Sequence, residues 1–74
     1  MTNIQYEPAE EFRLTPNQVR HIRVMAGYSK AGLAKRLGIT YQTIWRWETG
    51  RSAITGDAAY RLATLAQQRG IDYE

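Results

Sequence analysis

A segment bounded by two glycines, Gly38 and Gly50, restricts the possible folds of this chain more than any other. Glycine is the usual residue just past a helix C-terminus, where the backbone turns left-handed. Near the other end, the hydroxyl of Thr40 can accept a hydrogen bond from an unpaired backbone N–H of a first helical turn. Ile39 and Ile44 can form a hydrophobic staple across that cap. We therefore predict a short helix that begins after Thr40 and ends before Gly50.

The residues of this short helix divide between two faces. Ile44 and Trp47 are three positions apart, so they share a face and should point into a core. Gln and Arg side chains make bidentate contacts with base edges in the major groove of DNA. The pattern fits a recognition helix and also an ordinary surface helix. The side chains expected on its other faces are Tyr41, Gln42, Trp45 and Arg46.

A second helix precedes this one at a short distance. Ser29 can cap residues 30–37, and Gly38 closes them. Only Ile39 and Thr40 then separate the two helices, which is the spacing of a helix-turn-helix motif. The apolar residues of the earlier helix keep helical spacing and should face inward: Leu33, Ala34 and Leu37.

Two further helices are predicted at either side of this pair. Thr15, Pro16 and Gln18 give the first one a capping box with proline at its first position. Thr55 can cap the start of the last helix. Gly70 can end that helix, and Ile71 can then fold back onto its last turn. The side chains expected to face inward are Val19, Ile22, Met25 and Ala26 in the first helix, and Ala59, Leu62, Ala63, Leu65 and Ala66 in the last.

The length and composition agree with one small all-α domain. With 74 residues the chain buries only roughly 60% of its unfolded surface, and 43% hydrophobic residues exceed what disordered chains contain. The absence of cysteine excludes disulfides and thiolate metal sites. We expect an N-terminal arm at 1–13, a domain of four main helices at 14–70 and a tail at 71–74.

The charge is concentrated in the middle of the chain. Residues 12–69 hold all ten Lys and Arg and only two acidic residues, which gives a formal charge of +8 against +3 for the whole chain. This distribution is typical of proteins that bind polyanions. No apolar run approaches the roughly 20 residues of a membrane helix, and no signal pattern begins the chain. We expect no membrane association, no cofactor and no metal.

Three short runs carry a family resemblance. They are Ser-Lys-Ala-Gly-Leu-Ala at 29–34, Leu-Gly-Ile-Thr at 37–40 and Ile-Trp-Arg-Trp-Glu-Thr-Gly-Arg at 44–51. Together they resemble the Cro/C1-type (XRE) family of lambda-repressor-like helix-turn-helix proteins, and the likeness extends from about Leu14 to Arg69. The resemblance implies that the second helix lies across the groove with its N-terminus at a phosphate, and that the third helix enters the major groove.

The resemblance also implies roles for individual residues. Base contacts are expected from residues exposed on the third helix: Tyr41, Gln42 and Arg46, with Trp45 beside them. Phosphate contacts are expected from Lys30, Lys35, Thr43 and Arg51. A structural ion pair between the first and third helices is expected from Arg23 and Glu48.

The sequence departs from the family pattern at three positions. Gly32 replaces the usual Glu, which removes a capping box and weakens the second helix. Ile54 stands where Pro is common. Trp45 stands where small or polar residues are usual, and both a packing or dimer role and a contact with a base or a thymine methyl group remain open.

The expected function is therefore that of a sequence-specific DNA-binding transcriptional regulator, a Cro-like repressor that binds an inverted-repeat operator in double-stranded DNA as a homodimer. We expect it in the cytoplasm of a bacterial cell, associated with the nucleoid, or encoded by a phage, and without a small-molecule ligand. An antitoxin, an autoregulator of a small operon, and a protein-interaction module that does not bind DNA are the alternatives. One His, no Cys and no clustered carboxylates leave no catalytic residues to assign, so we expect no enzyme. Dimer contacts are expected from Leu65, Ile71 and Tyr73, or from Ile4 and Tyr6.

Overall fold

The computed structural model describes residues 12–73, with the exception of the Thr55 side chain. It contains four helices, which confirms the predicted all-α fold and the helix order. Residues 1–11 of the expected N-terminal arm, which include Ile4 and Tyr6, and the expected cap by the Thr55 side chain lie outside the described residues, whereas Phe12 packs against the core and Arg13 belongs to a strand. The elements are β1 at Arg13–Leu14, α1 at Pro16–Met25, α2 at Lys30–Leu37, α3 at Tyr41–Glu48, β2 at Ile54–Thr55 and α4 at Gly56–Gln68.

A two-residue antiparallel pairing, which the sequence did not indicate, lies beside the helices. Arg13 pairs with Thr55, and Leu14 pairs with Ile54. Two residues are too few to show the alternation that predicts a strand. Both Leu14 and Ile54 are buried, so the pairing holds the chain before α1 against the segment before α4.

The helix starts follow the predicted capping residues. Thr15 Oγ1 accepts from Gln18 N at 3.1 Å, and Gln18 Oε1 accepts from Thr15 N at 2.9 Å, which confirms the capping box of α1. Ser29 Oγ accepts from Gly32 N at 2.9 Å and begins α2. A Cβ atom at Gly32 would lie 3.2 Å from Ser29 Oγ and 3.4 Å from Tyr28 Cδ1, so a side chain at this position would require Ser29 Oγ to move by a few tenths of an ångström.

The turn between α2 and α3 depends on one left-handed residue. Gly38 has a φ of 73°, a conformation that costs little only in glycine. Ile39 N then donates to Ala34 O at 2.9 Å, which reverses the chain within the last turn of α2. Thr40 follows directly as the N-cap of α3. The predicted helix-turn-helix spacing is therefore present.

A single core lies between the four helices. The inward positions predicted for α2 and α3 are confirmed, as are most of those in α1 and α4. The buried apolar residues are Leu14, Val19, Ile22, Leu33, Ala34, Leu37, Ile44, Trp47, Ile54, Ala59, Leu62, Leu65 and Ala66.

Two sequence-based expectations about buried residues are wrong. Met25 was expected in the core but is 60% exposed. It lies about 120° around the α1 axis from Val19, and Arg23 is the residue that faces inward in the last turn of α1. Leu65 is 3% exposed and packs into the core from α4, which confirms the inward position expected for it but contradicts the dimer contact that was also expected of it.

The end of α4 returns to the first half of the domain. Ile71 N donates to Ala66 O at 2.8 Å, and the Ile71 side chain packs on the core, which confirms the predicted fold-back. The Arg69 guanidinium donates to Ala26 O at 3.1 Å and to the Tyr28 hydroxyl at 3.2 Å, and lies 5.6 Å from the Tyr28 ring centroid. Arg69 thus holds α4 against the turn between α1 and α2.

The assignment of the α1 faces leads to a stability prediction. Ile22→Val should lower the free energy of unfolding by about 0.5–1.5 kcal/mol, because it removes a methylene group from a fully buried site. Met25→Ala should change it by less than about 0.5 kcal/mol, because Met25 is exposed. Urea denaturation of both variants measures the difference, and a larger loss for Met25→Ala would contradict the assignment.

Candidate nucleic-acid interface

Helix α3 presents a buried face and a solvent face. Ile44 is fully buried and Trp47 is 7% exposed, and both belong to the core. Tyr41, Gln42 and Arg46 are exposed. Because Gln42 and Arg46 are four positions apart, their side chains leave the helix from the same face. The core contacts therefore fix which side of α3 its long polar side chains occupy.

The start of α3 is fixed by two threonines. Thr40 Oγ1 accepts from Thr43 N at 3.2 Å, and the two hydroxyl oxygens lie 2.9 Å apart, within hydrogen-bond distance. When the Thr40 hydroxyl donates to Thr43 Oγ1, the Thr43 hydroxyl hydrogen is left to donate elsewhere. The helix N-terminus also attracts anions through its unpaired N–H groups.

The end of α3 is fixed by a buried ion pair. Arg23 Nε donates to Glu48 Oε2 at 2.6 Å, and Arg23 Nη2 donates to Glu48 Oε1 at 3.1 Å. Arg23 Nη1 also donates to Tyr28 O at 3.0 Å. The two side chains are 11% and 5% exposed. This bidentate pair joins α1, the following turn and α3 in one arrangement.

The ion pair also determines the charge that α3 presents to solvent. Glu48 is the one acidic residue between Lys30 and Arg51, and its carboxylate is bound to Arg23 inside the domain. Arg46 and Arg51 are exposed. The solvent face of α3 and the loop after it is consequently cationic, which suits a polyanion.

Arg51 lies over the ring of Trp45. Gly50 has a φ of 78°, and Arg51 N donates to Arg46 O at 2.8 Å, so the chain turns back along the end of α3. The Arg51 Cζ atom then lies 5.1 Å from the Trp45 ring centroid. Trp45 is partly buried. Trp45 thus has a contact within one copy of the chain, on the ring face that Arg51 covers.

The two lysines predicted to contact phosphates lie on different sides of α2. Lys30 is the first residue of α2 and is partly buried, whereas Lys35 is exposed in its last turn. Five positions separate them, which places them about 140° apart around the helix axis. Lys30 lies beside the positive end of α2, the better location for an anion.

Comparison with known proteins establishes the family. A model of the helix-turn-helix family matches residues 19–69, which include all of α2 and α3. The chain therefore belongs to the Cro/C1-type (XRE) helix-turn-helix family, and it is a DNA-binding helix-turn-helix regulator. Comparisons with curated proteins and with solved structures find no significant match.

The described part of the chain gives two further findings. No helix among residues 12–73 is long and apolar enough to cross a membrane. No group of three or more His, Cys, Asp or Glu side chains in the same residues could hold a metal ion.

Sequence reasoning missed two contacts that shape the interface. One is the cation–π contact of Arg51 with Trp45, and the other is the third hydrogen bond of Arg23, to Tyr28 O. The glycine before Arg51 indicated a turn but not its direction. Both contacts join residues whose distance in space depends on how a loop closes, which sequence spacing does not give.

The buried ion pair leads to a second stability prediction. Arg23→Ala should lower the free energy of unfolding by about 3–5 kcal/mol, because it leaves the Glu48 carboxylate buried without its partner. Arg20→Ala, the matched control, removes an exposed arginine from the same helix and should cost less than about 0.5 kcal/mol. Thermal denaturation, monitored by circular dichroism, compares the stability of the two variants. Equal losses would show that the pair is not required for stability.

Proposed function

We propose that this protein is a sequence-specific transcriptional repressor of Cro type that places α3 in the major groove of a double-stranded operator. The observation that carries the proposal is the pair Gln42 and Arg46 on one exposed face of α3. The opposite face is buried through Ile44 and Trp47. A helix held in this way presents its polar side chains in a fixed direction, as base recognition requires.

The side chains of that face match the donor and acceptor pattern of base edges. The Arg46 guanidinium forks onto O6 and N7 of a guanine, and the Gln42 amide pairs with N6 and N7 of an adenine. Tyr41, which is 53% exposed in the first turn of α3, contacts a neighbouring base. Trp45 lies beside these residues.

Phosphate contacts on both sides of α3 position the helix in the groove. Lys30 and the N-terminus of α2 bind one phosphate, since the helix dipole and the ammonium group both attract it. The hydroxyl of Thr43 and the guanidinium of Arg51 bind others, and Lys35 adds charge at the other end of α2. These contacts supply affinity for any DNA sequence, whereas the base contacts select the operator.

Two copies of the chain are required for useful specificity. One eight-residue helix contacts only a few base pairs. A homodimer places two such helices in successive major grooves roughly 34 Å apart, on an inverted repeat. Such a dimer occupies an operator in the nucleoid or on phage DNA and excludes other proteins from it. Because Leu65 is in the core, the tail residues Ile71 and Tyr73 are the remaining described candidates for the dimer contact.

Selection of bound duplexes from a random pool tests the proposed function. We expect enrichment of an inverted repeat and, in sedimentation with that duplex, two copies of the chain per site. A selected site without symmetry that binds one copy would refute the dimer. A pool that shows no enrichment at any sequence would refute sequence-specific binding.

The exposed face of α3 leads to a prediction about base preference. Arg46→Ala should lose about 1–3 kcal/mol of discrimination at one guanine of each half-site. Arg46→Lys should restore only part of it, because an ammonium group lacks the planar fork. Arg61→Ala removes an exposed arginine from α4 and should leave base preference unchanged. The affinities of each protein variant for all single-base variants of the operator measure the base preference. A loss of affinity for Arg46→Ala that is uniform across these duplexes would contradict a base contact.

A further inference from the structure

Trp45 has a defined neighbour on its ring, and that neighbour is a cation. The Arg51 Cζ atom lies 5.1 Å from the ring centroid, within the range of a cation–π contact. The two residues are six positions apart, and the last turn of α3 and the loop bring them together. The contact therefore results from the way this loop closes.

The backbone on both sides of the contact is fixed. Trp45 O accepts from Thr49 N at 3.0 Å and from Thr49 Oγ1 at 2.8 Å. Arg51 N donates to Arg46 O at 2.8 Å, after the left-handed turn at Gly50. Both side chains thus begin from backbone atoms that are hydrogen-bonded within α3 or to it, so the contact between them needs little further ordering of the backbone.

A cation–π contact leaves most of the hydrogen-bonding capacity of a guanidinium available. An arginine carries five N–H donors, and a single aromatic ring covers only one side of the group. An unsupported arginine on a loop samples many rotamers, and it must lose this freedom when it binds an anion. An arginine that already lies on a ring has lost part of that freedom before the anion arrives.

We infer that Trp45 is a positioning residue, which holds the Arg51 guanidinium so that its in-plane donors bind a DNA backbone phosphate beside α3. On this inference Trp45 does not select a base. The inference rests on the proposed function. It assigns a role to Trp45, one of the three residues at which this sequence departs from the family pattern, and it predicts that the side chains of Trp45 and Arg51 act as one unit.

A double-mutant cycle on one selected duplex tests this inference. Trp45→Ala should weaken binding about fivefold when Arg51 is present, in line with a partly exposed cation–π contact. It should weaken binding less than about twofold in the Arg51→Ala background, because the group that Trp45 positions is then absent. Trp45→Phe should remain within about twofold of the parent chain, since a phenyl ring also offers a face.

Two controls separate positioning from other roles of Trp45. Lys30→Ala removes a cation from a different helix. The fold loss of affinity in the double variant of Lys30 and Trp45 should equal the product of the two single losses, because these residues are not coupled. The base-preference profile of Trp45→Ala should match that of the parent chain. A change of preference at one base position that persists in the Arg51→Ala background would show that Trp45 contacts a base, and would overturn the inference.

A measurement without DNA tests the contact itself. In the NMR spectrum of the free chain, the Arg51 Hδ protons should be shifted upfield by the ring current of the aromatic side chain. The shift should remain in Trp45→Phe and disappear in the folded fraction of Trp45→Ala. Normal Arg51 shifts in the parent chain would overturn the inference. Absence of binding to any duplex would overturn the proposed function and this inference together, whereas binding with independent effects of Trp45 and Arg51 overturns the inference alone.

Discussion

The guanidinium of Arg23 joins three parts of the chain through hydrogen bonds to the Glu48 carboxylate and to Tyr28 O. Two charged groups removed from water contribute little net stability, because their attraction offsets a large desolvation penalty. Loss of either partner is costly, however, since it leaves a buried charge unpaired. The pair consequently disfavours arrangements in which α3 is rotated or shifted relative to α1, and together with the burial of Ile44 and Trp47 it sets the direction of the other α3 side chains.

Helix α3 is too short to be stable by itself. Isolated helices of fewer than about 12–15 residues are marginal in water, and α3 has eight. Its shape comes from the Thr40 cap at one end, the ion pair of Glu48 at the other and the burial of Ile44 and Trp47 between them. The same contacts hold the polar face toward solvent, so the stability of the domain and the geometry of the proposed DNA-binding surface have one origin.

Different contacts position the cationic residues on the surface around α3. Lys30 gains its position from the capped N-terminus of α2, and Arg46 from the rotation of α3. Arg51 lies in a loop. Its backbone N–H donates to Arg46 O, and its guanidinium lies over the ring of Trp45. Side chains on helices are fixed by the core, whereas a loop side chain needs a separate support. The ring of Trp45 is that support in this domain.

The sequence by itself determined the helix boundaries and most of the core. Capping residues such as Thr15 and Thr40, and helix ends such as Gly38, act through bonds to residues three to five positions away, so local patterns are sufficient to place them. Family resemblance added the pairing of Arg23 with Glu48. Only the tertiary structure decided that Met25 is exposed, that Leu65 lies too deep in the core for a dimer contact and that Arg51 lies over Trp45. Those outcomes depend on which face of a helix meets another element and on how a loop closes in space, and neither is contained in sequence spacing.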